Sequence, residues 1–324
     1  MLTQKEYELL DFGEGRRLEH FNDLVLDRPC PTAIGIRKNA PSLWNNADAV
    51  FVETRSSTAD SKSALGFRGN WKSRTDRGAR FLAEKSENND SDDESRRVCE
   101  TVSVAGRFVL ELKGSPFGHI GIFPEQSENW RTIFEFTSSL KLKSGESPRV
   151  LNLFGYTGGS ALAAIAGGAE TTHLDAARNI VAQAKRNAFL SFGDCEEEQV
   201  GAFRWIVDDA AKFVKREVKR ESRYDGIILD PPSYGHGARG EVWRLSRDLP
   251  ALLLNCATLL KGSGSFVVLS AHTPGFDAKR LERELRDALL ERGLQARYLT
   301  RPMALHTKTG RVLPSGEVVI ATIR

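Results

Sequence analysis

Three short segments carry residue types at spacings that could do chemistry: NLFGYTGGSA at 152–161, THLDAAR at 172–178 and ILDPPSYG at 228–235. In the first, Gly155, Gly158 and Gly159 stand where an apolar strand turns into a helix, interleaved with Phe154, Tyr156 and Thr157. Glycine lets the backbone approach a ligand closely and accept positive φ, and a helix start offers N–H groups with no intrahelical partner. The spacing G-x-x-G-G is not the dinucleotide fingerprint G-x-G-x-x-G. Asp175 ends the next strand, 20 positions after Gly155, where a carboxylate can accept hydrogen bonds from ribose hydroxyls. Followed by Ala176, it reads equally as the N-cap of a helix beginning there. Asp208 and Asp209 close a third strand, and a carboxylate at that point can accept from an adenine amino group. Asp209, followed by Ala210, fits that position best, Asp208 is the fallback, and helix capping is the reading for the one not used. Asp230-Pro231-Pro232 carries the strongest implication. Prolines lack an N–H and restrict the backbone, so carbonyls and carboxylate form a rigid acceptor cluster able to orient an amino or ring nitrogen. Tyr234 either stacks on a base or is an ordinary core or surface aromatic.

Other candidates narrow the chemistry by exclusion. Lys212, Lys215, Arg216, Lys219 and Arg220 share one face of the helix after Asp209, opposite Phe213, Val214 and Val218. Such a face contacts phosphates or is simply solvated. His236 and His272 follow the fourth and fifth strands and read first as structural. No two histidines or cysteines have metal-ligand spacing, and no serine or cysteine stands in a triad context. Cys30, Cys99, Cys195 and Cys256 are far apart with no CxxC pair, which argues against a disulfide framework and fits a reducing cytoplasm.

These residues need a parallel sheet to hold them in a row. From 149 onward strands and helices alternate, which implies βαβ units. The strands are expected at 149–154, 170–175, 203–209, 224–230 and 265–271, with helices between them and a last helix near 277–292 stopped by Gly293. Two final strands, 294–300 and 317–323, have only a loop between them and should form an antiparallel hairpin at the sheet's edge. A helix over 127–140, capped by Ser127, leads into this domain. Residues 1–126 show short apolar runs instead (21–26, 49–53, 101–112, 119–124), the pattern of a small β-rich N-terminal domain. The acidic stretch at 84–97 cannot bury a core and should be a solvated loop. The expected division is therefore 1–126 and 127–324. The 324 residues are 40% hydrophobic and 27% charged, an ordinary globular composition. No apolar run approaches the ~20 residues of a membrane span, and the polar N-terminus does not resemble a secretory signal. The net charge of +3 neither demands nor excludes nucleic acid.

NLFGYTGGSA, HLDAAR, the aspartate pair and ILDPPSYG together resemble the bacterial class I S-adenosylmethionine (SAM)-dependent methyltransferases of the large-subunit ribosomal RNA group. The resemblance covers roughly 118–275. It implies an α/β, Rossmann-like sheet of seven strands with the last one antiparallel, and SAM as cofactor across the first three strand tips. It also implies RNA as partner and Asp230 to Pro232 orienting the base. Tyr234 stands one place later than the aromatic of the common amino-methylating pattern. The group usually reads Gly-x-x-Leu-Asp-Gln-Arg where this chain has 118–126. Gln126 is kept, Ser127 replaces the arginine, and Phe123 and Gln126 are secondary cofactor candidates. Cytosine-methylating members place a cysteine after the fifth strand, where this chain has Ser270-Ala271-His272. The stretch SAHTPGF at 270–276 is instead similar to guanine-methylating members, which points to a base nitrogen. The RNA-binding module of many relatives is not recognisable. The readings carried forward are an RNA base methyltransferase, a methyltransferase for a small molecule or protein, a nicotinamide-dependent oxidoreductase on a similar sheet, and a silent SAM-binding module.

Overall fold

The protein is described by a computed structural model covering residues 2–54, 68–83, 100–193, 203–236 and 242–324. The acidic stretch, Cys99, Cys195 and the side chain of His236 lie outside the described residues. The chain forms two units, one of Glu125–Ala304 with Pro314–Arg324, the other of Leu2–Pro124 with Leu305–Leu313.

The larger unit opens with helix α2 (Ser127–Ser144). Its cap is Gln126, and Ser127 is the first helical residue, so the expected side-chain cap is not made. Strands β8 (Arg149–Leu153), β9 (Glu170–Asp175), β10 (Phe203–Val207), β11 (Gly226–Leu229) and β14 (Phe266–Ala271) follow. Between them come α3 (Gly159–Ala166), α4 (Arg178–Phe192), α5 (Ala210–Lys219) and α6 (Leu245–Leu259). Helix α7 (Ala278–Glu291) is followed by β15 (Ala296–His306) and β16 (Val312–Ile323). Gly293, left-handed at φ 71°, follows α7 as expected. The seven strands lie in the order β10-β9-β8-β11-β14-β16-β15, and β16 runs antiparallel to β14. Both faces of this sheet are covered, which is why β8, β11 and β14 read as nearly continuous apolar runs rather than alternating ones. Leu151, Leu153, Ile227, Leu229, Val267 and Leu269 pack on one side against Phe213 and Val214 of α5, Leu249 and Leu253 of α6, and Leu285 and Leu289 of α7.

The register decides what stands at the carboxyl end. Leu153 pairs with Leu174 and with Leu229, Val207 with Asp175, and Leu229 with Leu269. The residues just past these pairs therefore form a row across the sheet: Asp208, Asp175, Phe154, Asp230, Ser270. A short hairpin of β12 (Tyr234–His236) and β13 (Val242–Arg244) leaves the sheet after Asp230.

The smaller unit holds a five-stranded sheet in the order β1 (Tyr7–Gly13), β2 (Arg16–Phe21), β3 (Leu24–Pro29), β4 (Ala49–Glu53), β5 (Gly69–Ser73). Helix α1 (Asp76–Leu82) and the hairpin β6 (Thr101–Val104) with β7 (Phe108–Glu111) complete its named elements. The run 21–26 is not one strand. Phe21 ends β2 and Leu24 starts β3, with Asn22 at φ 51° making the turn. The run 101–112 is likewise a hairpin, turned at Ala105 and Gly106, both left-handed, as a tight two-residue turn requires. The run 119–124 forms no strand.

Candidate functional site

The Gly-rich loop joins β8 to α3 in an unusual backbone. Phe154 and Tyr156 have φ 55° and 48°, and Gly158 has φ 96°. Non-glycine residues in the left-handed region are uncommon and persist where the surroundings over-determine them. Here the surroundings do so. Gly155 donates to the Leu174 carbonyl at 2.9 Å, Tyr156 N–H donates to Asp175 Oδ2 at 3.0 Å, and Asn187 Nδ2 donates to the Thr157 carbonyl at 2.9 Å. Two of the three glycines are required by protein packing. A Cβ on Gly155 would sit 2.4 Å from His173 Cε1, and one on Gly159 2.7 Å from Trp130 Cζ2. Gly158 caps α3 with no side-chain hydrogen bond, leaving the first-turn N–H groups of α3 to serve a polar ligand.

Asp175 is not the N-cap of the following helix. Helix α4 starts at Arg178 after Ala177, with no side-chain cap. The carboxylate instead stitches the loop to the strand tip, accepting from Tyr156 N–H on one oxygen and from Ala177 N–H at 3.0 Å on the other. Burial raises its pKa, opposed by the N–H groups of Ala177, Tyr156 and Ala176. Asp209 does cap α5, its Oδ1 accepting from Lys212 N–H at 2.8 Å. Asp208 accepts from Asp209 N–H and pairs with Arg216. One cation of the basic face is thus held by an acid at the site, while Lys212, Lys215, Lys219 and Arg220 are exposed.

Asp230 lies in a cluster of polar side chains. Its Oδ2 accepts from Gln126 Nε2 at 2.9 Å, its Oδ1 accepts from Ser270 Oγ at 2.7 Å, and His272 Nε2 lies 3.3 Å from Oδ1. Burial alone would raise this carboxyl. His272, Ser270 and Gln126 outweigh it and hold the pKa below the ordinary carboxylate range. Behind Gln126 runs a relay of one direction. Arg301 donates to Asn129 Oδ1, Asn129 Nδ2 donates to Gln126 Oε1 at 2.6 Å, and Gln126 then donates to Asp230. A guanidinium only donates and a carboxylate only accepts, so both amides between them are oriented. Pro231 is buried and Pro232 exposed. The Pro232 carbonyl already accepts from Trp243 Nε1 at 2.7 Å, so it is engaged within the protein. The Trp243 ring lies 5.0 Å from that of Phe154. Tyr234 is half-buried and pairs with Arg244 in the hairpin.

The sheet thus brings Phe154, Asp175, Asp208 and Asp230 to neighbouring strand tips, with Asp209 at the start of α5. The sequence alone reads His272 as structural and Ser270 only as the residue standing where relatives have a cysteine, and it does not single out Asn129, His173, Asn187, Trp243 or Arg301. The available signal for Ser270 and His272 is their place at the end of the fifth strand and just past it. The others have none. Of the cysteines among the described residues, Cys256 is buried in α6, where burial raises its thiol pKa, and Cys30 is buried in the smaller unit. Among the described residues no cluster of histidines, cysteines and acids could hold a metal ion. No described helix is long and apolar enough to cross a membrane.

Comparison with known proteins agrees with this layout. Residues 139–285 match the model of an S-adenosylmethionine-dependent methyltransferase family. A solved SAM-dependent methyltransferase from Agrobacterium tumefaciens is 30% identical, with a TM-score of 0.79 over 98% of this chain and 90% of that one. Ribosomal RNA large subunit methyltransferase I of Aeromonas salmonicida is 28% identical over 185 residues, 56% of this chain and 43% of that protein. Ribosomal RNA large subunit methyltransferase K/L of a Shewanella species is 30% identical over 180 residues, 54% of this chain and 23% of that protein. The chain spans less than half the length of these curated relatives. The donor and acceptor set also suits the cofactor: an uncapped helix start beside the Gly-rich loop, then acids at the two following strand tips. With its seven-stranded sheet, that loop and this likeness along nearly its whole length, the chain belongs to the S-adenosylmethionine-dependent methyltransferases.

Proposed function

We propose that the chain methylates a nitrogen of an RNA base, with ribosomal RNA as substrate. One observation carries the choice of atom. The Asp-Pro-Pro tip lies beside the Gly-rich loop in register, Leu229 opposite Leu153, and its carboxylate is surrounded by donors rather than by a thiol. Methylation of a pyrimidine carbon needs a cysteine nucleophile, and this chain has Ser270 near the end of β14 and His272 just past it instead. When bound, SAM supplies an electrophilic methyl, and an acceptor lone pair forms the new bond as the carbon–sulfur electron pair leaves with sulfur.

The protein's own part is positioning. The Gly-rich loop and the N-terminus of α3 would hold the methionine portion, Asp175 the ribose, and Asp209 or Asp208 the adenine amino group. Asp230 would hold the acceptor base, with Pro231 and Pro232 stiffening the turn and Tyr234 stacking on a neighbouring base. Alignment and desolvation of this kind can supply several kcal/mol of rate acceleration. The names of the curated relatives and the exposed Lys212, Lys215, Lys219 and Arg220 support RNA as the substrate.

The test is transfer of radiolabelled methyl from SAM to unmodified ribosomal RNA, followed by nucleoside analysis. Label should appear on a base nitrogen, and Asp230→Asn should lose at least about a hundredfold in turnover with SAM affinity nearly unchanged. Label on a ring carbon, or label confined to protein or small molecules, would overturn the reading.

A further inference from the structure

We propose that His272 is a positioning residue, locking the Asp230 carboxylate in a single orientation and in its ionised form beside the acceptor nitrogen. The inference rests on the nitrogen-methylation reading and adds a role for a side chain that reading does not use.

The hydrogen bonds decide the state of the ring. His272 Nδ1 lies 2.5 Å from the Ser315 carbonyl. A carbonyl oxygen can only accept, so Nδ1 carries a proton. His272 Nε2 lies 3.3 Å from Asp230 Oδ1. A carboxylate also only accepts, so this contact is attractive when Nε2 carries a proton, and a ring donating from both nitrogens is an imidazolium. The neutral alternative would have Nε2 accept from Gln126 Nε2, which stands at 3.5 Å. It would also set a ring lone pair against the carboxylate. The amide relay from Arg301 points Gln126 at Asp230 at 2.9 Å, which favours the charged ring.

The groups acting on His272 come from three separate parts of the larger unit. Asp230 stands at the end of β11, Glu125 lies just before α2, and the Ser315 carbonyl is on β16. Gly316, at φ 130°, lets β16 pass close to the ring, because a Cβ there would lie 3.1 Å from Nδ1, while the His272 side chain keeps an exposed edge. Burial works against a charged ring here, but the charge and hydrogen bond of Asp230, followed by Glu125, raise its pKa to about 9.

The consequence is chemical. A ring that already donates twice takes no proton at neutral pH, and three donors hold the Asp230 carboxyl below the ordinary carboxylate range, which makes it a weak base. Neither serves as a general base, so the acceptor must attack with a lone pair it already has. The Asp230 carboxylate, held in place by the ring, instead turns its oxygens toward whatever positive charge develops on the acceptor.

Two measurements on the full chain test this. Side-chain NMR of the free protein should show His272 titrating near 9, falling toward its ordinary value of 6.5 in Asp230→Asn. In His272→Gln, SAM affinity by calorimetry should stay within twofold while turnover falls at least tenfold. The alkaline limb near pH 9 of the wild-type turnover profile should also disappear. A His272 that titrates near 6.5 in the wild type, or one unmoved by Asp230→Asn, would overturn the proposal even if His272→Gln fails to fold. So would a His272→Gln enzyme with wild-type turnover and an intact alkaline limb. If the wild type labels no RNA yet His272 titrates near 9 and responds to Asp230→Asn, the RNA reading fails and the hold of His272 on Asp230 stands.

Discussion

At the scale of single residues, the site is built by steric exclusion and by hydrogen-bond direction. Gly155 lies directly under the His173 ring, whose side chain is fully buried and lies 5.2 Å from Trp205. Gly155→Ala must displace that ring or the loop. We expect a loss of about 1–3 kcal/mol in urea unfolding, the usual cost of overpacking, together with weaker SAM binding in calorimetry. An unchanged unfolding midpoint would show that the loop yields freely. Gln126 tests direction rather than size. Gln126→Glu replaces a donor to Asp230 with a second carboxylate at hydrogen-bond distance, so one of the two must keep its proton to higher pH. The acid limb of the turnover profile should move upward, and a limb that stays in place would mean that Gln126 does not set the charge of Asp230.

At the scale of elements, the least expected feature is the tip of the last hairpin, residues 305–313, which belongs to the smaller unit. Arg311 at that tip donates to Asp11 Oδ1 and to the carbonyls of Phe12 and Arg37. Asp11 is 1% exposed and also accepts from Trp44 Nε1 and from the N–H groups of Phe12, Asn39 and Ala40. Removing one partner of a buried ion pair leaves the other uncompensated, at about 3–5 kcal/mol. Asp11→Ala should therefore lower the urea midpoint markedly. Burial would raise the Asp11 carboxyl, but the Trp44 indole and the three backbone N–H groups together lower it. Its contribution is present above the unfolded carboxylate value of 3.8 and is lost as pH falls through the lower folded value. A variant with wild-type stability at pH 7 would show that the other contacts of Arg311 suffice to hold the tip.

At the scale of the whole molecule, two histidines pull stability in opposite directions with pH. Burial lowers His173 to about 3, against one backbone hydrogen bond to Tyr156. The unfolded chain then binds the extra proton between about 3 and 6.5, and this contribution rises with pH through that range. His272 is raised to about 9. Its contribution is complete below 6.5 and is lost as pH climbs through 9. Together they place a maximum near pH 6.5 in the thermal midpoint, with a falling alkaline side that His272→Gln should flatten. A midpoint still rising from pH 7 to 9 would contradict the His272 assignment. The larger unit was legible from the sequence because its signals are local: apolar runs bounded by glycine and proline, helical faces, and motifs set within ten residues. By these the chain itself determined the strand–helix alternation, the Gly-rich loop and the Asp-Pro-Pro tip. The strands YELLDFG and RRLEHF were not legible, because Asp11, Arg17 and Glu19 are buried as paired charges and a charged residue reads as exposed until its partner is known. The grouping of Gln126 with Asp230, Ser270 and His272 joins residues 104, 144 and 146 positions away from it. The register of β11 against β14 and the placing of the segment before α2 make those contacts, and neither has a local signature. Tertiary structure alone therefore decided which side chains meet at the Asp230 carboxylate.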